Sequence, residues 1–154
     1  MSNDAVNAID YELDHLFDIS IDFNKYPICQ GNIDILAQIF HNGQYTKTIV
    51  DYDKKPIAII SGMLIHDRVA CIHIVPSKEA HKLKRKSFIS AILRLRKELE
   101  HMARKYKLRR IETLTIDDEK HNAWMRRMGF LYEGTKKMYG LNGEDYNMWS
   151  RLWV

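Results

Sequence analysis

The chain has 154 residues, of which 45% are hydrophobic and 29% charged, and its formal net charge is +4. This length and composition favour one globular domain spanning residues 1–154 and exclude a disordered chain. The two cysteines provide neither a disulfide framework nor metal-ligand spacing, and no apolar run approaches the ~20 residues of a membrane span. The acidic N-terminal segment has no signal-peptide pattern, so we expect a cytoplasmic protein without a bound metal or a membrane partner.

The predicted elements follow the order α-α-β-β-β-α-β-α-β-β, as judged from helical and alternating hydrophobic patterns. In chain order they are helices over 4–18 and 32–41, strands over 45–53, 55–66 and 68–76, a long helix with an apolar stripe from Phe88 to Tyr106, a strand over 109–117, a helix over 119–128, and strands over 130–140 and 144–153. Short connections make the first three strands an antiparallel meander. The strand after the long helix is expected to lie parallel to the third strand, through a right-handed crossover.

This order predicts an α/β or α+β layered domain, with a mixed sheet of six or seven strands and helices on both faces. Charged residues are unevenly distributed along the chain. Residues 1–54 contain nine acidic and three basic side chains, whereas residues 78–110 contain thirteen lysines or arginines and three acidic residues. A basic surface of this kind favours binding of an acidic ligand. The candidates are a phosphorylated cofactor, a nucleic acid and an acidic protein. The alternative is a solvated helix face that binds nothing.

The segment "VPSKEAHKLKRKSF", residues 75–88, joins a predicted buried strand to the long helix. Residues 82–87 are predicted to form the first turn of this helix, with four cations among them: Lys82, Lys84, Arg85 and Lys86. Cations are unfavourable at a helix N-terminus because the free N–H groups there already carry partial positive charge. A bound anion such as phosphate would explain them. The alternative is that they are solvated surface side chains.

Three features together resemble the GNAT acyltransferases, the Gcn5-related N-acetyltransferases. These are the segment "CIHIVPS", the antiparallel meander ahead of it, and the late segment "HNAWMRRMGFLYEG". The resemblance covers residues 4–152 and is closest to small phage-encoded members, which include internal virion or assembly proteins of short-tailed phages. It implies a GNAT-like fold, acetyl-coenzyme A as the cofactor and an amine as the acceptor.

In this family, acetyl-coenzyme A lies in a cleft between two splayed parallel strands, and its pyrophosphate lies at the start of the following helix. The resemblance therefore implies that Ile74 and Val75 supply strand backbone to the pantetheine arm. It also implies that the pyrophosphate is held by the basic segment, through Lys82, Lys84, Arg85, Lys86 and Ser87.

The chain departs from the family pattern at three places that bear on cofactor binding or catalysis. No glycine occurs between Gly62 and Gly129, although the family's loop uses glycines to bring backbone N–H groups close to phosphate. Many family enzymes have a proton-donating tyrosine four residues before the late Gly-Phe pair, where this chain has Met125, which cannot donate a proton. The family's helix-capping asparagine corresponds to Asp118, which can cap the helix but whose charge repels phosphate.

Acetyl transfer needs a base that takes a proton from the amine. His73 is the best candidate, and the alternative is a packed strand histidine with one hydrogen bond. Tyr139 and Tyr132, on the strand after Gly129, are candidate acids or else ordinary packed aromatic residues. Glu112 is a further candidate base. Cys71 is a weaker candidate nucleophile, because nothing in the sequence lowers its pKa.

Three functions stay open on the sequence. The first is a GNAT-type N-acyltransferase that moves an acetyl group from acetyl-coenzyme A to an amine. The second is a catalytically degenerate GNAT-fold phage virion or assembly protein, located in the host cytoplasm or the virion and acting through contacts with an acidic or phage structural partner. The third is nucleic-acid binding through the basic helix, which ranks last because no base-reading motif accompanies the charge.

Overall fold

The computed structural model describes residues 6–19, 21 and 33–154. In this part of the chain the elements are β1 (Asn7–Asp10), α1 (Leu13–Asp18), α2 (Ile33–Asn42), β2 (Tyr45–Val50), β3 (Pro56–His66), β4 (Val69–Pro76), a 3₁₀ helix (Lys78–Lys82), α3 (Arg85–Lys105), β5 (Arg110–Ile116), α4 (Glu119–Arg127), β6 (Leu131–Lys136) and β7 (Tyr146–Leu152). The strands form one seven-stranded sheet in the order β1-β2-β3-β4-β5-β7-β6. This confirms the predicted layered α/β architecture and its mixed sheet. No helix among these residues is both long and apolar enough to cross a membrane.

The first predicted helix, over residues 4–18, is wrong in its first half. Asn7–Asp10 form the edge strand β1, which pairs antiparallel with β2, and only Leu13–Asp18 is helical. Apolar spacing over so few residues fits either structure. The free edge of β2 decides between them, because pairing with it supplies backbone hydrogen bonds to the segment.

The central strands are arranged as the sequence predicts. β2, β3 and β4 form an antiparallel meander. After α3 the chain returns in β5, which lies next to β4 and parallel to it. The remaining strands pair antiparallel, with β7 between β5 and β6.

Helices cover both faces of the sheet and create two cores. On one face, α3 packs its apolar stripe, which includes Leu95 and Leu99, against sheet residues such as Ile72 and Ile111. On the other face, α1 and α2 pack against β3 and β4, and Val75 belongs to this second core. Because alternate residues of β4 point to opposite faces, Cys71 and His73 lie on the α2 side of the sheet together with Val75.

The long helix begins later than predicted. Lys82 ends the 3₁₀ helix and Lys84 is the N-cap residue of α3, so only Arg85 onward is helical. The preceding turn buries Ala80, and Leu83 packs against the main core. Burial of these two apolar side chains favours a 3₁₀ turn at the position where the sequence predicts the first turn of the α-helix.

Candidate active site

Strands β4 and β5 pair over a short stretch and then separate. Their parallel pairing comprises three residue pairs and ends at Cys71 and Glu112. Beyond that point β4 continues to Pro76 and β5 continues to Ile116. A wedge-shaped gap therefore opens between two neighbouring strands near the centre of the sheet.

The gap exposes backbone polar groups of Ile74. The Ser77 N–H donates to a carbonyl oxygen of β3 at 2.9 Å, whereas the Ile72 carbonyl oxygen accepts from Thr113 of β5 at 2.8 Å. Backbone polar groups of successive strand residues point to alternate edges, so the N–H and C=O groups of Ile74 face β5. Those of Val75 face β3. Of the two residues expected to supply strand backbone, Ile74 is thus the one placed at the gap.

A cavity of about 440 Å³ lies beside the gap, on the sheet face that carries Cys71 and His73. Its apolar walls come from α2, β3, β5 and β7, through Leu36, Ile39, Met63, Leu114 and Met148. Its polar and aromatic lining includes His73, Arg110, Glu112, Glu133, Lys136, Tyr139 and Tyr146. A cavity of this size, lined by apolar walls with a few polar groups, is typical of small-molecule sites.

The structure brings the two candidate catalytic residues, His73 and Tyr139, into this one cavity. His73 is half-buried on β4, opposite Ser61 of β3. Burial lowers the pKa of His73 below its ordinary value of 6.5. The imidazole is therefore neutral at neutral pH and has a lone pair with which to accept a proton.

Tyr139 lies in the connection between β6 and β7, not on the strand where the sequence places it. β6 ends at Lys136, and Tyr139 is 47% exposed. Its ring packs edge-on against Tyr146, with centroids 5.6 Å apart. The Lys136 ammonium lies 4.7 Å from the Tyr139 ring centroid.

Tyr132, the other candidate acid, does not line the cavity. It is on β6, as expected, and its ring packs edge-on against Trp149 at a centroid distance of 5.8 Å. Its hydroxyl lies 2.7 Å from the Thr135 hydroxyl. These contacts fit the alternative of an ordinary packed strand aromatic residue.

Arg110 organises the charged end of the cavity. Its guanidinium donates to the two carboxylate oxygens of Glu133 at 2.9 and 2.5 Å, and to Glu112 at 2.9 Å. The Ser150 hydroxyl donates to Glu133 at 2.7 Å. Hydrogen bonds from Arg110 and then Ser150 lower the pKa of Glu133 to about 2. The carboxylates, first that of Glu133, raise the pKa of Arg110 above its usual range.

This network changes the interpretation of Glu112, and sequence reasoning missed its other members. Glu112 lines the cavity as a candidate base would, but its carboxylate already accepts a hydrogen bond from Arg110. Arg110 and Glu133 lie on β5 and β6, which are separated by β7 in the sheet. No local spacing relates these two residues in the sequence.

Cys71 has no feature of an activated nucleophile. Its side chain is half-buried beside Glu112, with which it is in register. Burial raises the pKa of the Cys71 thiol, and the Glu112 charge adds to this effect. The thiol form therefore dominates at neutral pH, and this form is neither a good nucleophile nor a metal ligand.

The basic segment lies apart from the cavity lining. Lys82 ends the 3₁₀ helix and Lys84 occupies the N-cap position of α3. Arg85, Lys86 and Ser87 form the first turn of this helix. The four cations are exposed and Ser87 is half-buried. Lysine has no acceptor atom, so the Lys84 side chain cannot cap the first N–H groups of α3.

The late segment shows the local geometry that the sequence predicts. Gly129 follows α4 with φ of +87°, as expected for a glycine after a helix. Asp118 caps α4 by accepting a hydrogen bond of 2.7 Å from the His121 backbone N–H. Met125 is buried, so the position where many family enzymes have a tyrosine contains a core side chain.

Comparisons with known proteins show similarity to solved structures. No family model matches the chain, and no curated protein matches it in sequence. An acetyltransferase of the GNAT family from Bacillus anthracis is 13% identical, with a TM-score of 0.69 over 99% of this chain and 97% of that one. The ribosomal-protein-S5-alanine acetyltransferase from Vibrio fischeri is 18% identical, with a TM-score of 0.70 over 99% of this chain and 95% of that one.

A Bacillus subtilis acetyltransferase, solved in complex with CoA, is 16% identical, with a TM-score of 0.69 over 97% of this chain and 99% of that one. These similarities extend over nearly the full length of the chains on both sides. The chain therefore has the fold of the GNAT acetyltransferases, as its sequence predicts.

Proposed function

We propose that the protein is a GNAT-type N-acyltransferase that transfers the acetyl group of acetyl-coenzyme A to an amine. The observation that carries this proposal is the gap between β4 and β5, which has the Ile74 backbone at its edge and the cavity with His73 and Tyr139 beside it. The similar fold of the Bacillus subtilis acetyltransferase, which binds CoA, supports the choice of cofactor.

The residues around the gap fit an extended cofactor with amide groups and a diphosphate. The N–H and C=O groups of Ile74 point into the gap, where amide groups of a pantetheine arm can pair with them. At the start of α3, Lys84 and Arg85 are exposed cations beside helix N–H groups that the Lys84 side chain cannot cap. Positive side chains provide the charge there in place of the close backbone approach that glycines allow.

The reaction requires two proton transfers, and the cavity offers one residue for each. Bound acetyl-coenzyme A supplies an activated thioester. His73, neutral at neutral pH, accepts the proton that the amine loses as the new C–N bond forms. The Tyr139 hydroxyl donates a proton to the departing thiolate, since the buried Met125 cannot.

Coenzyme A binding and thiol release test this function together. We expect coenzyme A to raise the Tm, because a ligand at about a hundred times its Kd stabilises the folded state by about 2.7 kcal/mol. Replacing Lys84 and Arg85 together by glutamate should abolish the rise. The matched double variant Lys54→Glu with Lys55→Glu, which changes two exposed lysines of the β2–β3 turn, should keep it. No rise and no thiol release from acetyl-coenzyme A with any amine would contradict the proposal.

A second candidate function, binding of nucleic acid, is favoured by the exposed face of α3. The exposed positions of this helix carry cations, one histidine and two apolar residues: Arg85, Lys86, Ile89, Leu93, Arg96, Lys97, His101, Arg104 and Lys105. Its two carboxylates, Glu98 and Glu100, are not exposed and form ion pairs with Arg94 and Arg151. The exposed face of α3 is therefore uniformly positive or neutral.

Retention on duplex DNA tests this second function. If phosphates bind along α3, retention should weaken steeply with salt, and the double variant Arg96→Glu with Lys97→Glu should reduce it strongly. The variant with Lys54 and Lys55 changed should bind as the unmodified protein does. Retention that is unaffected by the α3 changes would reject this function.

The predicted relationship to phage virion or assembly proteins stays a prediction. The three solved structures described above are each named as acetyltransferases, and none is named as a virion or assembly protein. A role through contacts with an acidic or phage structural partner would use the same exposed face of α3.

A further inference from the structure

The cavity beside the β4–β5 gap contains a balanced set of charges. Among the described residues that line it, two carboxylates, those of Glu112 and Glu133, are matched by two cations, Arg110 and Lys136. His73 adds no charge at neutral pH, because burial lowers its pKa. The cavity therefore has no excess of negative charge with which to attract a substrate that carries several ammonium groups.

Both carboxylates also accept hydrogen bonds, Glu133 through both of its oxygens and Glu112 through one. Arg110 binds Glu133 through two nitrogens and Glu112 through the third. Ser150 adds a further hydrogen bond to Glu133. A second ammonium group in the cavity would compete with the guanidinium for these carboxylates and would lie close to its positive charge, which repels it.

The aromatic part of the cavity lining already has a cation against one of its rings. The Lys136 ammonium lies 4.7 Å from the centroid of the Tyr139 ring, at a distance typical of a cation–π contact. Tyr139 in turn packs edge-on against Tyr146. A second positive charge at this ring would be repelled by Lys136, whereas an uncharged ring or alkyl chain can pack beside the two tyrosines.

The remaining walls are apolar and belong to several elements. They comprise Leu36 and Ile39 of α2, Met63 of β3, Leu114 of β5 and Met148 of β7. Burial of apolar surface against such walls is favourable by roughly 25 cal/mol per Å². The walls therefore select for an apolar or aromatic body on the acceptor.

We infer that the acceptor is an amine with a single ammonium group on an apolar or aromatic body, and that Arg110 is the residue that excludes polyamines. This inference rests on the proposed acyltransferase function. Arg110 acts by neutralising the charge of Glu112 and Glu133 and by binding both oxygens of Glu133, so its removal should leave uncompensated carboxylates for the distal ammonium group of a diamine.

Equilibrium binding of two probe amines tests the inference separately from turnover. Phenethylamine, an aromatic monoamine, and putrescine, an aliphatic diamine, are titrated against the full chain in the presence of coenzyme A and followed by ligand-observed NMR. We expect phenethylamine to bind at least about tenfold more tightly, since a charged hydrogen bond left unmade costs that much or more.

Two substitutions at Arg110 form a matched pair. Arg110→Gln removes the charge while keeping hydrogen-bond donors, and it should reverse the preference so that putrescine binds more tightly. Arg110→Lys keeps the charge and should retain the preference for phenethylamine. Circular dichroism and Tm of each variant confirm that folding is preserved. Tyr139→Ala should weaken phenethylamine binding more than putrescine binding, which would locate the probe in this cavity.

The outcomes separate the inference from the proposed function. Putrescine binding to the unmodified protein as tightly as phenethylamine would overturn the inference, and so would an unchanged preference in Arg110→Gln. Thiol release from acetyl-coenzyme A is measured in the same samples. Absence of release with both amines would count against the acyltransferase function, while the binding preference would still decide the role of Arg110.

Discussion

The Thr113 hydroxyl donates a hydrogen bond of 2.8 Å to the carbonyl oxygen of Ile72, at the point where β4 and β5 stop pairing. In an ordinary parallel pair, a backbone N–H of the neighbouring strand would donate to this carbonyl. Here a side chain replaces the backbone donor, so the carbonyl keeps a partner although the strands diverge. The bond satisfies the last carbonyl before the gap, and the Ile74 backbone lies two residues further on.

Thr113→Val should destabilise the protein by about 1 kcal/mol, because the valine keeps the shape but leaves the Ile72 carbonyl without its donor. Urea unfolding measures the change. Thr113→Ser keeps the hydroxyl and should keep the hydrogen bond, so it serves as the control. A valine variant as stable as the unmodified protein would show that the bond contributes nothing.

Gly129→Ala should lower the free energy of unfolding by on the order of 1 kcal/mol or more. Gly129 has φ of +87°, a backbone angle that residues with a side chain rarely adopt. An added Cβ would also lie 3.2 Å from Arg151 Nε. Gly143→Ala is the matched comparison, since Gly143 has φ of +82° and nothing within 4 Å of an added Cβ. The difference in Tm between the two variants reports the crowding against Arg151, and an unchanged Tm for Gly129→Ala would refute the strain argument.

The buried His73 should make the protein less stable in mild acid. Burial lowers the pKa of His73 in the folded state below its ordinary value of 6.5, so the unfolded chain binds this proton more readily. The stability contribution of neutral His73 is full above that value and is lost as pH falls from 6.5 through the lowered pKa. Urea unfolding at about pH 7.5 and about pH 5.5 should show a smaller loss for His73→Gln than for the unmodified protein. Equal losses would mean that His73 is accessible to protons in the fold.

Glu133 should stabilise the fold above its ordinary pKa and lose this effect in stronger acid. Arg110 and then Ser150 lower the pKa of Glu133 from 4.5 to about 2, so its contribution is present above 4.5 and is lost as pH falls through 2. Glu133→Gln should therefore be less stable than the unmodified protein at neutral pH, with the difference shrinking in acid. Ser150→Ala should show a smaller effect in the same direction. A Glu133→Gln difference that does not change with pH would contradict this assignment.

Several local features were predictable because nearby residues determine them. The antiparallel meander, the parallel return of β5 after α3, and the positive φ of Gly129 all follow from periodicity, short connections or a single special residue type. Asp118 as a helix cap belongs to the same group, since its partner N–H is three residues away.

The errors occur where distant parts of the chain compete with local preference. Asn7–Asp10 has helical spacing but becomes a strand because β2 offers a free edge. The turn before α3 becomes a 3₁₀ helix because Ala80 and Leu83 pack inward. In both cases a contact with another element decides between structures that the local sequence permits about equally.

The amino-acid sequence by itself determined the order of the helices and strands from α2 onward, the layered α/β class and the place of His73 on β4, since hydrophobic period and residue type are local properties. Only the tertiary structure decided where β4 and β5 part, and that Tyr139 joins His73 in one cavity. It also decided that Arg110 binds Glu133 across the intervening strand. These features depend on strand order and register, which bring together residues whose sequence separation carries no information about their contact.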